Sequence, residues 1–253
     1  MTGFAALLRK ELLEQWRTTR LPLVATVFLL VGLSSPLLAR FAPEILKAVG
    51  GNQFSIVLPT PTAADAYDQL AKNLGQFGAI IAVLLAMGSV ATEKERGTAA
   101  LILTKPASRG AFLTAKLVAI ATTLGISTAV AGAGAWFYTL VLFEPPPVAG
   151  FAAAMTLQWL ALVAYAAITF LGSTLTRSAL AAAGLGVVAF IGLGILGIIP
   201  AIGRSLPTGL GAPARALALG QSGVDALGPT IATVVLVAGL GAVAWLAFRR
   251  QEL

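Results

Sequence analysis

The side chains that carry most enzyme chemistry are missing: among 253 residues there is no His and no Cys. That excludes a zinc finger, a thiolate nucleophile, a haem ligand and a His general base. No Lys follows a Gly, so a P-loop of the G-x-x-x-x-G-K-[S/T] type is absent, and no G-x-S-x-G elbow appears. The groups left to do chemistry are ionic, and they gather in two places. One is the start of the chain, where Arg9, Lys10, Glu11 and Arg17 surround Trp16. The other is Glu93-Lys94-Glu95-Arg96, followed by Lys105, Arg109 and Lys116. Such groups suit docking and contact with lipid headgroups rather than bond making. No metal or cofactor is expected on this chain, and any ATP its work needs must be bound by another.

The elements that position these groups are membrane spans. Charged residues are 11 % of the chain, where a soluble domain carries about 25 %. Hydrophobic residues are 58 % and the mean hydropathy is +0.90. A soluble enzyme, a disordered chain and a disulfide scaffold are all excluded by that balance. A bilayer core needs about 20 mostly apolar residues per helix. Six stretches qualify, at about 21–39, 73–92, 117–142, 148–176, 178–203 and 226–248. The expected fold is therefore an all-α membrane protein of six transmembrane helices. The basic region ahead of Leu21 is too long for a cleaved leader, so the first span is expected to be retained. No soluble domain and no internal repeat is visible.

An even number of spans puts both termini on one side, and the Lys/Arg bias picks that side. With the termini cytoplasmic, that side holds Arg9, Lys10, Arg17, Arg20, Lys94, Arg96, Lys105, Arg109, Lys116, Arg177, Arg249 and Arg250. The other side holds Arg40, Lys47, Lys72, Arg204 and Arg215, so the split is twelve to five. Cytoplasmic termini are expected. The net charge of +7 follows from this asymmetry and from anionic lipid. No basic patch with interleaved aromatics points to nucleic acid.

On the cytoplasmic side, Phe4, Leu8, Leu12 and Trp16 recur every four positions and form one apolar stripe on a helix. Lys10, Glu14 and Arg17 sit on the other side, so residues 1–20 read as a helix in the membrane interface with basic residues toward headgroups, or as a plain basic flank. Glu11 intrudes beside the stripe, either to meet a partner or to pair with a nearby Arg. Residues 93–110 are more distinctive. Gly97 breaks the outgoing helix and Thr98 can cap a new one. Leu101, Ile102 and Leu103 give that short helix an apolar surface before Pro106 ends it, and Ser108 can cap the next. A short helix between two turns suits docking into a groove on a partner. A solvated connecting loop would explain the charges but not three adjacent large apolar residues.

These residues resemble a known pattern. From Met87 to Lys116 the chain is similar to the signature of ABC-2 type transporter permeases: an acidic pair (Glu93 and Glu95), Gly97-Thr98, an apolar step (Leu101 to Leu103), Pro106-Ala107-Ser108-Arg109, then Lys116. Leu8-Arg9-Lys10-Glu11-Leu12, with Arg17 and Arg20, resembles the family's N-terminal interface helix. The ending Phe248-Arg249-Arg250-Gln251-Glu252-Leu253 is similar to the basic tail of the subgroup resembling sodium, bacitracin and copper-processing export permeases. The resemblance covers the whole chain and implies one permease domain over residues 1–253. It implies a homodimer in a bacterial or archaeal cytoplasmic membrane, mostly for export. Each copy would dock on a separate ATPase subunit holding ATP and Mg, through a coupling helix within Glu93 to Arg109. ATPase closure would then tilt spans one, two and five. The pattern says nothing about cargo, nor about any accessory substrate-binding or periplasmic protein.

The span interiors lack Asp, Glu, Lys, Arg and His, which argues against an ion-coupled carrier, because a proton or Na⁺ usually needs a charged partner there. A carrier or channel without an ATPase, and a membrane scaffold, stay open as alternatives. Ser, Thr, Gln76 and Gln158 either line a path or bond across helices. The pairs Ala129/Ala133, Ala182/Gly186 and Ala238/Ala242 can each allow close helix packing. Gly192, Gly194, Gly197 and Pro200 loosen the end of the fifth span. Residues 61–65 read as a helix cap, and 207–225 leaves room for a short helical dip.

Overall fold

The computed structural model describes residues 3–50, 60–98, 108–144 and 146–251, and among them all regular structure is helical. Helix α1 (Phe4–Arg17) leads through Thr18 and Thr19 into α2 (Arg20–Gly50). Thr19 sits in the left-handed region at φ 58°, which turns the chain sharply out of α1. The second span is built in pieces: α3 (Ala63–Asn73), a π-helical turn (Leu74–Gly78), α4 (Ala79–Met87) and α5 (Ala91–Glu95). Then come α6 (Arg109–Leu142), α7 (Val148–Leu175) and α8 (Ala179–Gly197). The short α9 (Pro200–Gly203), a 3₁₀ turn (Pro207–Leu210) and α10 (Gly211–Ala218) precede α11 (Leu227–Arg249).

Six segments are long and apolar enough to cross a membrane: Arg20–Ala48, Ala63–Glu95, Arg109–Leu142, Val148–Leu175, Ala179–Gly197 and Leu227–Arg249. The count agrees with the sequence reading, and the ends differ where helix outlasts hydrocarbon. The first span continues past residue 39. The second starts at Ala63 rather than residue 73, because the helix capped by Thr62 and Asp65 runs on through the π turn. The Thr62 N–H and Oγ1 both donate to Asp65 Oδ2, at 2.8 and 2.7 Å. The third reaches back to Arg109, where Ser108 Oγ accepts from the Ala111 N–H at 3.1 Å, as expected of a cap. The fifth ends at Gly197, not residue 203, with a break before α9 at the loosened stretch.

The core runs along α6 and α7, which are the most enclosed spans. Helix α2 packs along α6, while α7 receives α4, α8, α10 and α11. Of the three small-residue pairs, only Ala182/Gly186 is buried, and a Cβ on Gly186 would strike Thr169 Oγ1 of α7. Ala129, Ala133, Ala238 and Ala242 are exposed. Phe112 of α6 stacks on Phe248 of α11, with ring centroids 5.7 Å apart.

The break between α4 and α5 is held from another span. Ser173 Oγ of α7 accepts from the Val90 and Ala91 N–H groups, at 3.1 and 2.9 Å, in a fully buried setting. Ser173→Ala strands both donors, at about 1–3 kcal/mol for each buried group left unpaired. We expect a lower thermal midpoint for the detergent-solubilised variant, whereas Thr156→Ala, on an exposed face, should leave it unmoved. Equal midpoints for the two variants would refute the assignment.

Candidate functional site

The two charged groups of the sequence meet in space. Helix α1 turns its polar face inward, burying Glu11 and Gln15, and leaves Leu13 and Trp16 exposed. Four residues apart, Glu11 and Gln15 share one face of the helix. They face α6, where Lys116 is only 4 % exposed. Lys116 Nζ donates to Glu11 Oε1 at 3.0 Å and to Glu93 Oε1 of α5 at 2.6 Å. One ammonium thus joins α1, the end of the second span and the start of the third. It also lies 5.1 Å from the Phe112 ring centroid, against the stack with Phe248. One turn further along α1, Thr123 Oγ1 donates to Gln15 Oε1.

Lys10 closes the cluster from the surface. Its Nζ lies 3.0 Å from Glu11 Oε1, 3.0 Å from Glu14 Oε2 and 3.6 Å from Glu93 Oε1. Partial burial works against its charge, but hydrogen bonds to Glu11 and Glu14 outweigh that and hold the ammonium above the usual lysine range. Burial likewise opposes ionisation of Glu14, and the Lys10 hydrogen bond and charge overcome it, holding the carboxyl below its usual range. Two ammonium groups therefore face three carboxylates, and Glu93 Oε2 has no hydrogen-bond partner among the described residues.

A second cluster ties the ends of spans together nearby. Arg109 Nη1 donates to the carbonyls of Phe248, Arg249 and Gln251 at 3.1, 2.9 and 3.0 Å, at the C-terminal end of α11, where a cation is favoured. Lys94 Nζ donates to Thr174 O at 2.7 Å and to Gln251 Oε1 at 3.3 Å, and Gln251 Nε2 donates to Thr174 O at 2.9 Å. The motif arginine is thus a clamp on the last helix, apart from the Lys116 cluster.

The other sites singled out from the sequence divide as follows. Glu95 and Arg96 are exposed and form no ion pair with another described residue. Gly97 takes φ +70°, the left-handed backbone expected of a break. Thr98 Oγ1 donates back to Glu93 O at 3.2 Å. Leu101, Ile102, Leu103 and Pro106 lie outside the described residues. Arg9, Arg17 and Trp16 are exposed, whereas Phe4, Leu8 and Leu12 are half-buried. Glu11 pairs with Lys116 and Lys10, not with an Arg as the sequence allowed, because α1 lies across the base of α6. Glu14, placed beside Lys10 on the polar side of α1 by the sequence, does pair with it. The sequence reading missed Gln15, Thr123, Ser173 and Gln251 as structural partners, and of these Gln15 carried a signal, as the second polar residue on the Glu11 face.

The chain is 31 % identical over 260 residues to an uncharacterized transmembrane protein, YxlG, of Bacillus subtilis (strain 168), covering 100 % of this chain and 99 % of that one. The family described as ABC-2 family transporter protein matches residues 5–244, which take in nearly all of α1, the first five spans, most of the sixth and the Glu11–Lys116–Glu93 cluster. With six apolar spans and a family match over nearly its whole length, the chain belongs to the ABC-2 family of transporters and is an integral, multi-pass membrane protein.

Proposed function

We propose that the chain is the export permease of an ABC transporter, working as a homodimer in a cytoplasmic membrane on two separate ATPase subunits that bind ATP and Mg. Its coupling element is the segment from Glu93 to Arg109. The observation that carries this reading is the buried ion pair between Glu93 and Lys116, which makes the base of that segment continuous with α6 and, through Glu11, with α1. A push on the segment would act on Glu93 and pass by a 2.6 Å contact to the third span and the interface helix. Arg109, at the segment's far end, would pass the same push to α11. Support for the homodimer comes from α8, which is largely uncovered and carries exposed Leu180, Val188, Ile191 and Ile195. The twelve-to-five distribution of basic residues supports cytoplasmic termini, which puts the segment on the side where ATP is found.

The chain has no Cys, so Leu101→Cys gives one reactive thiol in the segment. The expected result is a P-loop ATPase that co-purifies in mild detergent and crosslinks through position 101. A chain that arrives alone and yields no ATPase crosslink overturns the coupling assignment and favours a carrier that needs no ATPase.

A further inference from the structure

Lys94 and Arg109 stand at the two ends of the proposed coupling segment, and both reach the same residue of the C-terminal tail. Lys94 Nζ donates to Gln251 Oε1 at 3.3 Å, across 157 residues of chain. Arg109 Nη1 donates to Gln251 O at 3.0 Å, across 142. The Gln251 amide also points the other way. Its Nε2 donates to Thr174 O at 2.9 Å, and that carbonyl accepts from Lys94 Nζ at 2.7 Å as well. Thr174 lies in the last turn of α7, just before the connection into α8. From the end of the sixth span, one residue thus touches the end of the second, the start of the third and the end of the fourth.

An amide is the side chain that this position calls for, because it offers an acceptor and a donor at once. A carboxylate there would accept from Lys94 but set its charge against Thr174 O. An ammonium would donate to Thr174 O but repel Lys94. The C-terminal end of α7 favours the Lys94 charge without help, so what Gln251 adds is the link from that pair to the tail. The tail is held in turn by Arg109, through backbone carbonyls alone. Capping α11 needs Arg109 and no particular side chain at position 251. Residues 95–108 therefore begin and end on one circuit of contacts. Neither end can shift without carrying the other along or breaking these hydrogen bonds.

We propose that Gln251 is a positioning residue for coupling: it makes the C-terminal tail a tie through which both ends of the segment move as one body with α7 and α11. The inference rests on the coupling reading and adds to it an element that lies beyond the family match at residues 5–244.

Gln251→Ala removes the amide and leaves the backbone carbonyl to Arg109, so it cuts the tie without cutting the clamp. The first measurement uses the full chain alone in lipid nanodiscs. Spin labels go on Glu95→Cys and Leu246→Cys, both exposed positions in a chain with no other Cys, and pulsed electron paramagnetic resonance reads the distance between them. One narrow distance is expected with Gln251 in place, and a shifted or broadened one in Gln251→Ala. An unchanged distance overturns the tie. The second measurement is ATP hydrolysis by the chain with its ATPase, at a temperature where both stay folded. In Gln251→Ala, kcat should fall about fivefold, the scale of one hydrogen bond lost from the productive state. The KM for ATP and the crosslink through Leu101→Cys should not change, since the partner still binds ATP and still docks. Lys94→Met should lower kcat to a similar extent, and adding Gln251→Ala to it should cost less than about twofold more, because both cut the same tie. Fully multiplicative losses, or a crosslink lost together with kcat, overturn the positioning role. An unaltered chain that brings no ATPase overturns the coupling reading itself. A coupled parent whose kcat ignores Gln251→Ala overturns this inference alone.

Discussion

Replacing Lys116 by Met should cost the folded chain about 3 kcal/mol, near the lower end for removing one partner from a buried ion pair. The side chain is 4 % exposed and is the only ammonium that reaches both Glu11 and Glu93 at hydrogen-bond distance among the described residues. Without it, two carboxylates from different helices share a pocket in which little water can solvate them. Lys10 remains 3.0 Å from Glu11 and 3.6 Å from Glu93, which keeps the loss at the lower end of the range. The measurement is thermal unfolding of the purified chain in detergent. The informative companion is Glu11→Gln/Glu93→Gln/Lys116→Met, in which no charge is left unbalanced at those three positions. It should recover much of the stability lost by the single variant, because the penalty lies in the uncompensated charge rather than in the missing pair. If the triple variant unfolds at the same temperature as Lys116→Met, the cluster is not the source of the effect.

A comparable loss is expected where α2 and α6 touch backbone to backbone. A Cβ on Gly32 would run into the carbonyl of Ala131, and a backbone carbonyl in a packed helix cannot swing aside as a side chain can. Even Gly32→Ala must part the two helices, at about 1–3 kcal/mol for overpacking. Gly32→Leu should leave no monodisperse protein on size exclusion, since α2 can then no longer seat along α6. Gly192 is the matched control, for a Cβ there meets nothing within 4 Å. Gly192→Ala should be neutral or stabilising by up to about 1 kcal/mol, through helix propensity alone. Similar behaviour of Gly32→Ala and Gly192→Ala would show that the close approach is not tight.

Several features were legible because they depend on local chemistry. The apolar runs announced six spans, since a helix in hydrocarbon needs an unbroken apolar stretch and little else. The Thr62/Asp65 box, the Ser108 cap and the break at Gly97 were readable because a cap or a left-handed turn is decided within a few residues. Span ends were less legible. The charges Asp65, Asp68 and Lys72 set the helix capped at residues 61–65 apart from the apolar run that begins at residue 73. The structure joins the two into one span, because a π turn at Leu74–Gly78 keeps the chain helical.

The candidate site was legible in its members but not in its arrangement. Glu93 and Lys116 stand out as charges at the edge of apolar spans. That one ammonium bonds to both Glu93 and Glu11 depends on where α1 lies, and nothing in residues 1–20 states which face of that helix meets α6. Arg109 shares the motif yet serves the last helix, 139 residues from its partner Phe248. By itself, the sequence determined the helical class, the number of spans, the uneven distribution of basic residues and the breaks at Gly97 and near Gly197, all consequences of hydropathy, charge and local backbone freedom. Only the tertiary structure decided which of three similar small-residue pairs is buried, where Gly32 lets two helices touch, and which charges share Lys116. Those outcomes rest on pairings between helices tens of residues apart, and Ala, Gly and Glu carry no mark of the distant residue they will meet.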